Sequence, residues 1–255
     1  MIREKEMALM LHNQTLDKLS EMRLAAMHGE YCRQTDLPQT TSLSFDDRFA
    51  MVVDAEWTDR KNRQLKKLLK NAVLRIQDAC LEDLDYSPEH HLSKEIVGRL
   101  ADGHWIREGR TILVTGPTGT GKTYSLCAFG NAACRQGFKV RYYRVNRLLS
   151  DLSVSQGDGT YNKVMQDLKK IDVLILDDFG MTVLSPASSR DLLEVIDDRI
   201  GVKGTIMAAQ LPVSHWHGVF EDNTIADAVL DRVVNNAYRF DLKGSSKRMQ
   251  PVRNE

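Results

Sequence analysis

The chain has 255 residues, with 35 lysines and arginines against 35 aspartates and glutamates, for a formal net charge of zero. That length holds one ordinary core plus a smaller appendage. The charge balance excludes nucleic-acid binding by overall basicity, so any DNA surface must come from local segregation of charge.

From Met7 to Cys32 apolar residues recur at helical spacing (Leu9, Leu16, Leu19, Leu24, Met27), predicting an amphipathic helix or helix pair. Gly29 and the stretch 35–42, with Pro38, break it. A second helix is expected from Phe45 to Glu56 and a third from Thr58 to about Gln77. The third carries Arg60, Lys61, Arg63, Lys66, Lys67, Lys70 and Arg75 against Asp59, the most basic run in the chain. On a helical period Arg60, Arg63, Lys67 and Lys70 share one face and Leu65, Leu68, Leu69 and Val73 the other. These cations either line up along phosphates or form a solvated face. Residues 80–104 read as short helices and turns broken at Pro88.

Beyond Arg110 apolar strands alternate with helical patterns. TILVT (111–115) is followed by a helix from Lys122 to Arg135, closed by Gly137, and then by KVRYY (139–143). VLILD (173–177) and TIMAA (205–209) are further strands, and DAVLDRVVNNA (227–237) reads as helix. Such alternation predicts an α/β fold, a parallel sheet sandwiched by helices. A mobile tail is expected from Gly244 to Glu255.

Cys32, Cys80, Cys127 and Cys134 show neither CxxC spacing nor a His-rich surround, and read as reduced thiols of a cytosolic protein. The charged start lacks a cleavage site and no apolar run approaches spanning length, so a cytoplasmic protein without membrane partners is expected. His215 and His217 flank Trp216, and an H-x-H pair without a third ligand reads as a packed loop rather than a metal site.

The segment GPTGTGKT fits the G-x-x-x-x-G-K-[ST] pattern, and it follows an apolar strand while opening a helix, the context the pattern needs. Its glycines let backbone N–H groups converge on one point, and the helix N-terminus adds positive potential for phosphates. Candidate ATP contacts are Gly116, Pro117, Thr118, Gly119, Thr120, Gly121, Lys122, Thr123 and the following Tyr124. Lys122 should reach the β- and γ-phosphates and the Thr123 hydroxyl should ligate Mg²⁺. VLILDDFG (173–180) places two carboxylates at the end of an apolar strand. That strand is expected beside the P-loop strand, with both acids facing the nucleotide. Asp177 would then hold Mg²⁺ through water, and Asp178 would orient or deprotonate the attacking water. Gln210, ending TIMAA, either senses the γ-phosphate or bonds to backbone. Arg232, beside Asp231, is either an arginine finger aimed at a neighbouring subunit's nucleotide or a salt-bridge partner.

With P-loop, paired acids, polar strand end and late arginine in this order, the chain resembles the AAA+ ATPases of the helicase-loader and initiator clade. Within that clade it is most similar to the IstB-like helpers that bacterial insertion sequences encode beside their transposase. DAEWTDRKNRQLKKLLKNA, GPTGTGKT, LILDDFGM, AAQLPVSHWHGVF and ADAVLDRVVNNAYRFDLKGSSKR carry the likeness, over about Glu6 to Arg248. LPVSHWH with LDRVVNNAYRFDLKG is more specific than the ATP motifs and separates IstB-like proteins from DnaC-like loaders. The resemblance implies a P-loop AAA+ domain at 76–255 preceded by a small all-α domain at 1–75. It makes Asp177 the Walker B acid, Asp178 the catalytic carboxylate, Gln210 the first sensor and Arg232 the finger. Arg248, or Lys247 beside it, falls where the family ends in an arginine after a Gly-Glu-Ser run, here Gly244, Ser245, Ser246. The chain departs from the family at Tyr124, where His is common, and at Ala209, where Ser precedes the sensor; neither change removes an ATP ligand.

The resemblance further implies a homo-oligomer that assembles with ATP on duplex DNA without sequence preference and presents it to a partner transposase. Its composite sites would need Arg232 from one subunit and Lys122 from the next. RVNRLLSDLSVSQGDGTYNKV occupies the position of the clade's DNA-tracking element, which makes Arg144, Arg147 and Lys163 phosphate contacts beside Arg60, Arg63, Lys67 and Lys70. The helices before Pro38 become a docking module for the transposase or for self-assembly. The alternative is a DnaC-like loader acting with a replicative helicase on single-stranded DNA. A small-molecule kinase fits poorly with the DDFG pair, the late arginine and the basic helix. Because Asp178 is one methylene shorter than Glu, turnover is expected to be slow without DNA.

Overall fold

The protein is described here from a computed structural model covering residues 2–37, 42–87, 90–235 and 237–244. Pro38, Pro88, Lys247, Arg248 and the tail expected beyond Gly244 lie outside the described residues. The chain divides into two compact units, Met1–Lys66 and Lys67–Glu255.

The first unit is helical, with α1 (Ile2–Glu21), α2 (Ala25–Asp36) and most of α3 (Phe45–Ala72). Leu24, at the start of α2, has no side chain that caps a helix, so its first N–H groups need another acceptor. Glu56 of α3 supplies one, accepting from Ala26 at 3.1 Å and Met27 at 3.3 Å. Further along, Gln34 Nε2 donates to the Arg48 carbonyl at 2.9 Å, so a polar contact ties α2 to α3 at each end. The two helices expected at 45–56 and 58–77 are one helix of 28 residues. Only Trp57 separates them, with neither Gly nor Pro, and the ion pairs of Glu56 with Arg60, at i,i+4, and with Arg63 span the junction. The helix stops at Ala72, before Val73 in the left-handed region (φ 51°), short of the expected Gln77.

The second unit is built on five strands: β1 (Thr111–Thr115), β2 (Val140–Arg144), β3 (Val173–Phe179), β4 (Gly204–Ala209) and β5 (Ala237–Asp241). They are all parallel, in the order β2-β3-β4-β1-β5. Parallel pairing requires crossovers, and helices supply them: α6 (Lys122–Arg135), α7 (Val145–Gly157), α8 (Tyr161–Lys169), α9 (Pro186–Asp197) and α10 (Asn223–Val234). The short helices α4 (Lys94–Leu100) and α5 (His104–Arg107) precede β1. Every residue of β1 and β4 is buried, as a sheet covered on both faces demands.

Two expectations about the sheet are corrected. β3 does not lie beside β1, because β4 is inserted between them. A fifth strand, absent from the sequence reading, pairs with the other side of β1, and the helix expected over 227–237 ends at Val234. The main core gathers Leu148, Leu152, Leu176, Met207, Trp216 and Val229. At the amino ends of β3 and β4, Arg199 is buried and its guanidinium donates to Thr205 Oγ1 and to the carbonyls of Leu168, Ile171, Asp172 and Gly204. Among the described residues no helix is long and apolar enough to cross a membrane.

Candidate nucleotide site

β1 ends at Thr115 and the chain must turn at once to start α6. Gly116, Gly119 and Gly121 make that turn with φ of 145°, 89° and 90°, conformations that favour glycine. Gly116 has a second reason to lack a side chain, since a Cβ there would lie 2.2 Å from the Leu242 carbonyl oxygen. At Gly121, the N-cap of α6, the same test meets open space, which leaves the loop's concave side free for a ligand. Thr120 Oγ1 donates to the Pro117 carbonyl at 2.9 Å and braces the loop internally. Lys122 Nζ lies over the loop, donating to the carbonyls of Gly116 and Pro117, each at 2.7 Å.

Asp177 is buried at 1% exposure at the carboxyl end of β3. Its Oδ2 accepts the Thr123 hydroxyl at 2.8 Å and the Tyr142 hydroxyl at 2.7 Å, while Oδ1 accepts the Asp178 N–H at 2.8 Å. Three donors are what a buried carboxylate needs to offset its desolvation. β4 separates the two strands, yet Thr123 still reaches Asp177 because α6 packs against β2, β3 and β4 as well as β1. Asp178 sits in the left-handed region (φ 60°) where the β3–β4 register shifts between Leu176 and Phe179. Backbone strain of this kind, of about 1–3 kcal/mol, collects at functional sites.

A cleft of about 470 Å³ opens along the P-loop. One wall is polar, with the loop from Thr118 to Ser125, Asp178 and Gln210; the other sets apolar Ile76, Leu84, Leu92 and Leu242 among Arg75, Asp83, Asp85 and His90. Phosphates suit the first wall and a purine the second. For Mg²⁺ the donor set is one hydroxyl and one carboxylate, Thr123 and Asp177, and among the described residues no group of three or more His, Cys, Asp or Glu could hold a metal. That sparse set fits a cation that draws its remaining ligands from phosphate and water.

The second wall was missed in the sequence. Arg75 read as the last cation of a helix, but it lies beyond the end of α3 and lines the cleft. His90 joins this segment to the strand end beyond β5, with Nδ1 2.7 Å from the Lys243 carbonyl and Nε2 2.9 Å from Asp85. Tyr124 lines the cleft too, and its hydroxyl accepts the Cys80 N–H at 3.4 Å.

The remaining candidates are dispersed. Gln210 Nε2 meets the Met181 sulfur at 3.1 Å on the cleft's rim. Arg232, on α10, forms an ion pair with Asp197 of α9 and donates to the Ala228 carbonyl at 2.8 Å. Arg144 pairs with Asp178 at 3.4 Å, next to the site rather than apart from it. Arg60 and Arg63 engage Glu56 and Asp59, so half of the expected cationic face is paired within its own helix. Lys67 and Lys70 on α3 and Lys163 on α8 are exposed, and Arg147 pairs with Asp151 at 3.1 Å. His215 and His217 lie on a 3₁₀ helix (Val213–Val219) that buries Trp216, and His217 faces Asp227.

A parallel sheet with a glycine loop entering a helix, a buried acid beside the loop's threonine and a cleft with one partly apolar wall define a P-loop ATP-binding protein of the AAA+ fold. The family model for IstB-like ATP binding protein matches residues 17–254, and the chain belongs to that family. It is 45% identical over 205 residues to an ATP-binding protein of insertion sequence IS1162 from Pseudomonas fluorescens, covering 80% of this chain and 89% of that one. An insertion sequence ATP-binding protein of Sinorhizobium fredii, y4pL, is 40% identical over 239 residues, 94% of this chain and 97% of that protein. Among solved structures, the replication initiator DnaA bound to AMPPCP and single-stranded DNA superposes with a TM-score of 0.56 at 21% identity. That likeness, which concerns the fold, covers 68% of this chain and about half, 52%, of the other.

Proposed function

We propose that the chain hydrolyses ATP with Mg²⁺ held between Thr123 and Asp177. It does so as a homo-oligomer on duplex DNA, without sequence preference, to recruit or activate the transposase of the same insertion sequence. The observation that carries the reading is the 2.8 Å hydrogen bond from Thr123 Oγ1 to the buried Asp177, beside Lys122 at the start of α6. A hydroxyl whose proton is taken by a carboxylate keeps its lone pairs for a hard cation. Lys122 and the N–H groups of Gly119 to Thr123 bind the β- and γ-phosphates. Mg²⁺ supplies neutralisation of the phosphate oxygens when bound. Asp178 orients or deprotonates the attacking water, Gln210 senses the γ-phosphate, and Arg232 and Arg248 act on nucleotide as finger and late sensor.

Arg60, Arg63, Lys67, Lys70, Arg144, Arg147 and Lys163 are the phosphate contacts of this reading, which needs no base-reading motif. Residues 1–75 serve as the partner and DNA module and 76–255 as the ATPase. The insertion-sequence origin of the relatives supports the transposase as partner.

The test is phosphate release and light-scattering mass of the full chain, with and without duplex, for wild type and Lys122→Ala. Mg²⁺-dependent turnover stimulated by duplex, an assembly requiring ATP, and loss of both in the variant are expected. A wild type that stays monomeric and hydrolyses ATP regardless of duplex overturns the DNA reading. Stimulation confined to single-stranded DNA and a replicative helicase makes the protein a DnaC-like loader instead.

A further inference from the structure

Asp177 is held by one more donor than its motif brings. Thr123 and the Asp178 N–H belong to the P-loop and to the acidic pair itself, but the third donor, Tyr142, comes from β2. Tyr142 pairs in register with Ile175, two residues before Asp177, and alternate residues of a strand share a face. The phenol therefore lies on the side of the sheet where Asp177 points, and it is buried there.

The direction of this hydrogen bond is fixed by the partner itself. A carboxylate oxygen only accepts, so the phenol is the donor and Asp177 Oδ2 the acceptor. The result is a buried donor on β2 aimed at the candidate cation ligand on β3.

We propose that Tyr142 is a positioning residue for Asp177: its hydroxyl fixes the carboxylate rotamer so that Oδ2 meets the Thr123 hydroxyl and the cation that Thr123 would ligate. This rests on the Mg²⁺ and ATP reading of the site. With the phenol in place, Oδ2 accepts from two sides and cannot turn away from α6. Without it, Oδ2 keeps one donor, which moves whenever the P-loop helix moves. Partners that orient a ligand in this way are typically worth about 10- to 100-fold in metal affinity or activity.

The experiment uses the full chain, Mn²⁺ as a spectroscopic probe of the cation site, and a non-hydrolysable ATP analogue. Tyr142→Phe keeps the buried ring, so nucleotide affinity in EDTA should match wild type, while the melting temperature should fall by a few degrees for the one donor lost to the buried carboxylate. Mn²⁺ affinity of the nucleotide complex should fall by about tenfold or more. In steady state the Mg²⁺ needed for half-maximal turnover should rise by a like factor while KM for ATP holds. Equal Mn²⁺ affinity in variant and wild type overturns the proposal, as does an equal loss of nucleotide affinity in EDTA, which signals general loosening. A wild type that binds Mn²⁺ with nucleotide yet never hydrolyses ATP defeats the ATPase reading while leaving the role of Tyr142 to the Mn²⁺ result. A wild type that binds neither defeats both.

Discussion

Arg144, the last residue of β2, and Asp178, the residue after the buried acid of β3, form an ion pair at 3.4 Å. In register Arg144 lies opposite Asp177, and the bulge in β3 offers it the next carboxylate instead. From sequence alone the arginine is expected on DNA and the aspartate at the attacking water; the fold pairs the two.

Removing the arginine should therefore free Asp178 for chemistry. Arg144→Ala is expected to raise DNA-free ATP turnover by about two- to fivefold, the factor that an exposed ion pair can withhold. Stimulation by duplex should shrink correspondingly. Phosphate release measured with and without duplex decides the matter; unchanged values in both arms would show that the pair is idle.

Arg232 is engaged by Asp197 and the Ala228 carbonyl within its own chain, which allows two roles with opposite signatures. If it acts on a neighbouring subunit's nucleotide, Arg232→Ala should lose at least about 100-fold in turnover of the assembly while nucleotide binding persists. Asp197→Asn, which only unties the arginine, should keep turnover or raise it. If both variants merely melt earlier and hydrolyse normally, the residue is a strut between α9 and α10.

Glu56 gives the first unit a pH signature. Arg60 beside it, assisted by the N–H groups of Met27 and Ala26 and opposed by burial, holds its carboxyl below the ordinary value of 4.5. A lowered folded value means stability that is present above 4.5 and lost as pH falls through the lower, folded value. Glu56→Gln should thus melt earlier than wild type at pH about 7, with the gap closing in acid below the ordinary carboxylate range. A gap of constant size across that range would mean that the charge contributes nothing.

At Arg199 the expectation concerns stability at every pH near neutral. Burial pulls its guanidinium down to about 10, still charged under ordinary conditions, and its five hydrogen bonds satisfy four carbonyls and one hydroxyl. Arg199→Met orphans several of these and should cost about 3 kcal/mol or more in urea unfolding. Arg199→Lys should rescue little, because a point charge cannot reproduce a planar fork. A lysine variant as stable as wild type would refute the fork argument.

These elements also show what sequence conveys and what it withholds. β1, the P-loop and α6 were legible as a block because strand, glycine turn and helix each carry their own local signal. Asp177 was legible because a carboxylate ending a run of Val, Leu and Ile has few other uses. β5 was not: Ala237 to Asp241 follows VVNN without a glycine or proline, and an edge strand buried on one side lacks a continuous apolar run. Nor could local pattern tell that β4 stands between β3 and β1, since strand order is decided by crossovers and not by composition. The wall of the cleft made by Ile76, Leu84 and Leu92 follows no period, and Tyr142 looked like one more residue of an apolar strand. Only the register of β2 with β3 gives its hydroxyl a purpose.

β1 is flanked on its outer side by β5, Leu242 N–H bonds the Thr115 carbonyl at 2.8 Å, and the carbonyl of Leu242 fills the space where a side chain on Gly116 would be. The phosphate loop is therefore finished by residues made long after it. A ribosome that has delivered Gly116 to Thr123 has not yet supplied the strand against which they settle, so ATP should protect nascent chains only once residues 237–242 have cleared the exit tunnel. Until then the loop is exposed, and a nucleotide that arrives early finds glycines that have not yet been given a shape.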